Sequence, residues 1–561
     1  MNTQIEFEGG EYFVIRFPYH QHFVRWIRNL ANRRWDHEEK CWYVHVQHLA
    51  DVMQMFQIQK AELPPKLWRA YQIHRIRTST IRLVVGNTLA YFEGDRLPLG
   101  QIDQVTSYFV PGYRYMPNYQ AQRWDGKRHL FDMKKLSFPA GLVSRVINVL
   151  EQNKTSYQLV EDSFPSPPAV SYNLPRFELR DYQQECVEKA LSAKRGVLEL
   201  ATGSGKTAVA AQIIYELGMP AIFFVHTRDL LHQTHQFFRT HLSDKVGIVG
   251  DGKVHLAPLT VATLQTVGNA FGIVFENGKD EEFQVEEDLT DVSHSRNRLV
   301  AYVRECPVVF FDECHHLPAE SFYSLAMETT GARYRFGLSA TPYRADKLDL
   351  LLEAAVGPKI FRANASALID MGYLVPPEIR FLAPPAFHSA PSRRLDYQTV
   401  FQEYVITNPD RNKLIAKEAR RFAKQGKSVL ILITQVAHGE RLVELLPEAD
   451  FVSGEMPASR RQSIFKKLQT KKQLIVIATT LADEGLDVPT LDAVILGSGG
   501  KSETRALQRI GRALRPAPHK EKAYIIDFFD NAPFLKDHSL RRLEIYSTEP
   551  RFVIHTEGFS L

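Results

Sequence analysis

The stretch GVLELATGSGKTAVAAQIIYEL, Gly196 to Leu217, limits what this chain can fold into more than any other part of it. A short apolar run, a glycine-rich turn ending in lysine, and a second apolar run read as strand, loop and helix, the unit from which a parallel α/β sheet is wound. The strict phosphate-loop template puts a glycine five residues before Gly205, where this sequence has Leu200. The part that does the chemistry remains. Gly203 and Gly205 let backbone N–H groups turn inward on phosphate oxygens that Cβ atoms would hold off, and Thr202 and Ser204 complete the loop. Lys206 supplies a positive charge to the β- and γ-phosphates, Thr207 supplies a hydroxyl for Mg²⁺, and the helix N-terminus favours an anion. ATP and Mg²⁺ are the expected ligands.

The second signal is CPVVFFDECHH, Cys306 to His316. Val308 to Phe311 make a buried strand that ends at Asp312 and Glu313. Two adjacent carboxylates inside a core are costly, but at the carboxyl end of a parallel strand they face the ligand crevice. There Asp312 would hold Mg²⁺ through water, and Glu313 would orient and deprotonate the attacking water. An Asp-Glu pair alone is a weak signal. After a strand, and about 105 residues beyond a phosphate loop, it is a strong one.

At 561 residues the chain exceeds a single core, so three or four domains are expected. Hydrophobic residues at 44% and charged residues at 24% fit a globular protein. No run approaches the ~18 apolar residues of a membrane span, and MNTQIEFEGG has no secretory pattern, so a cytoplasmic location away from membranes is expected. Cys41, Cys186, Cys306 and Cys314 are scattered without a C-x-x-C pair and read as reduced thiols. The charge is unevenly spread. Residues 1–150 hold 20 Lys and Arg against 13 Asp and Glu, a net +7, and the remaining 49 against 51 give −2. The basic excess therefore lies in front of the phosphate loop, where it is either a nucleic-acid footprint or a merely soluble basic surface.

With these residues in view, DECH resembles the DExH box of superfamily 2 helicases, and the other motifs of that superfamily follow in order. LRDYQQ (179–184) is similar to the glutamine motif, which implies that Arg180 and Gln183 serve the nucleotide, Gln183 at the adenine edge. His315 belongs to the box itself. FVHTRDLLHQT (224–234) and TVATLQT (260–266) resemble strand-gripping motifs, which implies Arg228 and Thr266 on nucleic acid. SATP (339–342) resembles the coupling motif, with Ser339, Ala340 and Thr341. IATTLADEGLDVP (477–489) and QRIGRALRP (508–516) resemble the nucleotide-facing motifs of a second motor domain. They imply Gly485 and Asp487 on the nucleotide side, with Gln508, Arg512 and Arg515 reaching across the cleft. Arg509, Arg512 and Arg515 recur three apart and are expected on one helix face. Within the superfamily the chain resembles the XPB and UvsW branch. SATPYRADK carries Ala345 between Arg344 and Asp346, where XPB-type proteins have a glutamate, which puts XPB-like strand separation by this element in doubt.

The first 60 or so residues alternate strand-like and helix-like runs: YFVIRFPY, then HQHFVRWIRNLA with Phe23, Ile27 and Leu30 on one face, then CWYVHV and QHLADVMQMF. With RRWDHEEKCW between them, they resemble the HARP module found beside annealing helicases. Trp35 and Trp42 are expected in the core, and Arg25, Arg28, Arg33 and Arg34 are the candidates for phosphate contact. IRLVVGNTLAYF reads as two strands meeting at Gly86-Asn87. In FVPGYRYMPNYQAQRWDGKRHLFD (109–132), Tyr113, Tyr115, Tyr119 and Trp124 interleave with Arg114, Arg123, Lys127 and Arg128, and Gly126 is free to take positive φ. This segment resembles the duplex-binding domain of UvsW, and FPAGLVSRVINVL would be its closing helix. The interleaving fits nucleic-acid contact and fits equally a hairpin core with a wet rim.

The expected fold is α/β: two RecA-like parallel-sheet motor domains, 173–365 and 366–561, behind two small α+β nucleic-acid-binding modules, 1–62 and 63–160, and a proline-rich linker, 161–172. Segment 268–298 interrupts the first motor domain. Its Glu276 to Asp291 hold eight acidic residues against one lysine and read as a solvated loop or as an acidic flap over the basic groove. The resemblance implies a monomeric, ATP-dependent 3′–5′ translocase or helicase acting on single-stranded, duplex or forked DNA, with RNA–DNA hybrid as a further ligand. The rivals are the duplex translocase of a restriction or phage-defence complex, and a non-catalytic ATP-gated clamp.

Overall fold

The computed structural model describes residues 3–561 apart from 31, 80, 95–96, 163–165, 274–288, 315–319, 341–348, 386–395, 480–487, 489, 499–502 and 560–561. The chain forms two compact units. One comprises residues 1–107, 127–139 and 143–163, and the other 108–126, 140–142 and 164–561.

The smaller unit holds two four-stranded sheets. In the first, antiparallel strands Gln4–Glu6, Tyr12–Arg16, Cys41–His45 and Arg33–Asp36 lie side by side in that order. Phe13, Ile15 and Val44 form its inner face, with Ile27 from the helix Gln21–Arg28 and with Leu49 and Val52 from the helix Leu49–Phe56. This core takes in Leu63, Leu67 and Tyr71 as well, so it extends past residue 62 along the helix Pro65–Ser79. The tryptophans divide, contrary to expectation. Trp42 is core at 7% exposure, while Trp35, paired with it on the edge strand, is 37% exposed. An edge strand has a neighbour on one side only, so the second ring of the pair stays in water. The second sheet joins Ile81–Val85 and Leu89–Glu93 across Gly86-Asn87, with Tyr157–Glu161 parallel to the former and Ser137–Pro139 antiparallel to the latter. The closing helix spans Val143–Gln152.

In the larger unit, eight strands form the first sheet in the order Lys253–His255, Val246–Gly250, Leu259–Thr263, Ala221–Val225, Val308–Asp312, Tyr334–Ser339, Arg195–Leu200, Lys359–Ala363. Every pair is parallel except the outermost hairpin of Lys253–His255 with Val246–Gly250. Apolar residues run through each central strand because helices cover both faces. Phe223 and Phe310 face one layer while Phe224 and Phe311 face the other. A second, wholly parallel sheet runs Asp450–Val452, Ile475–Thr479, Val429–Ile433, Ala493–Leu496, Ala523–Phe528, Pro377–Leu382, Val553–Glu557. The α/β fold with two predominantly parallel sheets is therefore present. All four cysteines are free and buried, and among the described residues no helix is long and apolar enough to cross a membrane. The acidic segment lies outside the described residues up to Asp288, and its last residues open the helix Leu289–Glu305.

Candidate functional site

The strand Arg195–Leu200 delivers the loop, and the helix Lys206–Leu217 begins directly after it with Gly205 as N-cap. Gly203 and Gly205 both sit at left-handed φ, +84° and +82°, which glycine takes without the steric penalty of other residues. A Cβ on Gly205 would come 2.5 Å from Gln183 Nε2. That closeness is used. Gln183 Nε2 and Tyr182 Oη both donate to the Ser204 carbonyl, at 2.7 and 2.6 Å, and Gln183 Oε1 accepts from Arg180 N–H at 2.9 Å. The Gln183 amide thus holds the loop through its nitrogen and caps its own helix through its oxygen, and reading an adenine edge requires it to exchange one of these bonds. Ser204 Oγ is buried with no hydrogen-bond partner among the described residues.

Lys206 Nζ donates to Glu313 Oε1 at 2.6 Å. Burial disfavours the ammonium, yet the neighbouring Glu313 and Asp312 carboxylates outweigh it and hold Lys206 above the ordinary lysine range. Asp312 ends its strand nearly buried, and its Oδ1 accepts from the Glu313 N–H at 3.0 Å. Glu313 itself takes φ of +48°. A left-handed non-glycine residue costs about 1–3 kcal/mol, and such strain concentrates at functional sites. Here it turns the carboxylate back toward the phosphate loop.

The second sheet brings its own residues to the same place. A cavity of about 490 Å³ is lined by Thr202, Lys206, Thr207, Asp312 and Glu313 from one side and by Arg512 and Arg515 from the other. Where a Cβ on Gly203 would lie, Arg515 Cγ is 3.2 Å away, and a Cβ on Gly511 would lie 2.6 Å from Thr202 Cβ. The two domains therefore touch at the loop itself. Burial pushes the Arg515 guanidinium below its ordinary range, a penalty that an anion in the cavity would offset. The chemistry such a cavity permits is phosphoryl transfer: cations on both sides, a carboxylate able to take a proton, and an Asp and a Thr hydroxyl placed for Mg²⁺.

The three arginines do not share one face. The helix Glu503–Ala513 ends before Arg515, and Arg509 is buried inside the second domain, outside the cavity lining. Gln508 lies on this helix, with its side chain outside the described residues, as are His315, Thr341, Gly485 and Asp487. Ser339 ends its strand fully buried, and Ala340 follows it half-buried. Arg228 is exposed near Asp251, and Thr266 accepts from Thr263 Oγ1 at 2.7 Å. Neither Arg228 nor Thr266 is among the residues lining the cavity. Sequence reasoning missed two features. Tyr373 lies under Arg180, with the guanidinium 4.6 Å from the ring centroid, and beside Tyr182 at 5.3 Å. Arg461 of the second domain donates to both oxygens of Asp229 in the first, at 3.0 and 2.8 Å.

Comparison with known proteins places this geometry. The family model of the type III restriction enzyme res subunit matches residues 176–344, that of the helicase conserved C-terminal domain matches 411–517, and that of the UvsW helicase N-terminus matches 88–162. The ATP-dependent DNA helicase uvsW of Enterobacteria phage T4 is 25% identical over 79% of this chain and 92% of its own length. The DNA 3'-5' translocase XPB2 of Sulfurisphaera tokodaii is 27% identical over 65% of this chain and 84% of its own. The chain is therefore similar to superfamily 2 helicases of the XPB and UvsW branch. This is a family of ATP-hydrolysing enzymes. The chain is also 27% identical over 77% of its length to Rad25 of Halobacterium salinarum, of which it spans 65%. Arg512 and Arg515, beyond Gly511, and Asp312 and Glu313, beyond Phe311, thus line one cavity.

Proposed function

We propose that the chain is a DNA-dependent ATPase that translocates 3′ to 5′ and remodels branched DNA: forks, recombination intermediates and R-loops. The observation that carries this reading is the cavity in which Lys206, Asp312 and Glu313 face Arg512 and Arg515 across two parallel-sheet domains. In it, Lys206 and the loop N–H groups bind the phosphates, Glu313 takes the proton of the attacking water, and the two arginines balance charge on the transferring oxygens. Thr207 and Asp312 would hold Mg²⁺, which would supply further neutralising charge. Taking Lys206 onto phosphate frees Glu313 to act as base. The cross-domain contacts at Gly511 and Arg461 are those that such a cycle makes and breaks.

Similarity to XPB2, a DNA 3'-5' translocase, and to uvsW, an ATP-dependent DNA helicase, supports the polarity and the substrate. We also infer a HARP-like module in 1–62, whose core continues to Tyr71, a duplex grip in 63–160, a linker in 161–172, motor domains at 173–365 and 366–561, a cytoplasmic location and a monomeric state. The loop 108–126 supports the duplex grip. There Tyr113 stacks on Phe109 at 4.8 Å, meets Tyr119 edge-on at 4.8 Å and rests on Gly126. Tyr115 is left 86% exposed and Phe109 52% exposed, beside exposed Arg114 and Arg123. Aromatic faces with neighbouring cations suit frayed bases and phosphates.

The test is affinity for forked, duplex, single-stranded and RNA–DNA hybrid ligands across a salt series, together with ATPase on each. Arg114→Glu with Arg123→Glu is expected to weaken fork binding and to flatten its salt dependence by about two units, one for each lost phosphate contact. Tyr115→Ala is expected to weaken fork binding by roughly tenfold, the scale of a lost base stack. Fork affinity and salt slope unchanged in both variants would remove the duplex grip from this loop. The match to a restriction-enzyme family model favours a second reading, translocation on duplex without unwinding. Movement along duplex without strand displacement would select it.

A further inference from the structure

The strand Val429–Ile433 sorts the helices of the second motor domain into two layers. Leu430 and Leu432 pack with Ile510 and Ala513, on the side that carries the cleft arginines. Val429, Ile431 and Ile433 pack with Ile415, Ala419 and Phe422 of the helix Pro409–Ala423. That helix therefore lies on the sheet face away from the nucleotide cleft, and neither the hydrolysis chemistry nor the motifs quoted above use it.

Its outer surface is strongly basic. A groove of about 510 Å³ is lined by Lys413, Lys417, Arg420, Arg421 and Lys424, floored in part by Leu445, with no carboxylate among its lining residues. Positions 413, 417, 420 and 424 follow the helical repeat, so their side chains form one stripe about 16 Å long. Arg420 is paired with Glu448 at 2.7 Å, and Arg421 with Glu418, which also takes Arg380. Lys413 reaches Asp410 only at 3.4 Å, and Lys417 and Lys424 are exposed with no ion pair among the described residues. Arg420 and Arg421 also complement the helix C-terminus, which explains them without a ligand. The lysines at 413 and 417 have no such reason. Like charges four residues apart weaken a helix, so a face shaped for stability alone would intersperse carboxylates. The remainder of the chain after residue 150 is net acidic by two charges, which makes this concentration of cations more than a sample of the average surface.

The geometry points to a second nucleic-acid site: the groove along Pro409–Ala423 holds the phosphate backbone of a duplex arm, outside the strand path of the motor. A stripe of this length spans roughly five phosphates of one strand. This inference rests on the reading of the chain as a DNA motor, and its function is to keep hold of the arm while the motor cleft opens and closes.

The experiment uses the full chain and a blunt 30-base-pair duplex, with affinity measured from about 50 to 300 mM salt. The triple variant Lys413→Glu, Lys417→Glu, Lys424→Glu is expected to bind at least tenfold more weakly at the low-salt end, with a salt slope flatter by about two to three units. Lys413→Arg, Lys417→Arg, Lys424→Arg should bind as the parent does. ATPase without DNA should be unchanged in both, which also reports that the variants fold. A charge-reversed protein with the parent affinity and slope overturns the groove site while leaving the motor reading intact. A parent that binds no duplex at any salt sinks the motor reading first. Loss of binding to poly-glutamate with full retention of duplex binding would assign the groove to an acidic protein partner and likewise overturn the proposal.

Discussion

Lys206→Ala, Glu313→Gln and Arg512→Ala are each expected to lower DNA-stimulated ATP turnover by at least ~10²-fold, the scale for losing positioned charge in phosphoryl transfer. The three should not behave alike in binding. Lys206 and Glu313 are paired at 2.6 Å, so removing the lysine leaves Glu313 and Asp312 facing the phosphates with their repulsion uncompensated. Lys206→Ala should therefore lose ATP affinity as well as turnover. Glu313→Gln removes the proton acceptor and loosens the hold on Lys206, so ATP binding should be kept or tightened while hydrolysis stops. Arg512 lies across the cavity from both, and its loss should spare nucleotide binding more than turnover. Phosphate release at saturating DNA and fluorescent-nucleotide binding separate these outcomes. Near-parental turnover in Arg512→Ala would take this residue out of the reaction.

What the sequence made legible is local. The loop at Gly203–Thr207, the carboxylates after Val308–Phe311 and the turn at Gly86-Asn87 each announce themselves within a dozen residues, because strand and helix periods and turn chemistry are short-range. The features it concealed depend on distant partners. Asp229 and Arg461 are 232 residues apart, and no spacing rule predicts their pairing. Tyr373 stands outside every quoted motif, yet the chain between the domains lays it under Arg180. Arg509, Arg512 and Arg515 illustrate a different limit. Three-residue spacing places side chains near one another on a helix, but it does not say where the helix stops or which flank is buried. The second domain takes Arg509 inward, and the helix ends at Ala513, so Arg515 reaches the cleft from the turn beyond. Trp35 failed for a similar reason, since membership of an edge strand is decided by the sheet and not by the residue.

Gly511→Ala is expected to cut ATP turnover at least tenfold without lowering the melting temperature, an effect out of proportion to one methyl group. A Cβ at this position would stand 2.6 Å from Thr202 Cβ and 3.1 Å from its Oγ1. Contacts that short force one partner to move. The loop is poorly placed to yield, because Tyr182 and Gln183 both grip the Ser204 carbonyl and the Thr202 side chain projects at the domain contact. The helix Glu503–Ala513 must therefore withdraw, taking Arg512 with it. A displacement of about 1 Å at a catalytic group can cost ~10²-fold in rate. Stability should move the other way or not at all, since alanine is the better helix former by about 1 kcal/mol. Loss of activity with an intact melting curve then cannot be ascribed to unfolding. Replacing Thr202 by glycine in the same chain removes the colliding atoms and should restore part of the lost turnover, even though Thr202→Gly alone slackens the phosphate loop. Gly511→Ala with parental kcat and KM would show that the domains do not close through this contact during turnover, and that the cross-cleft arginines are carried by some other surface.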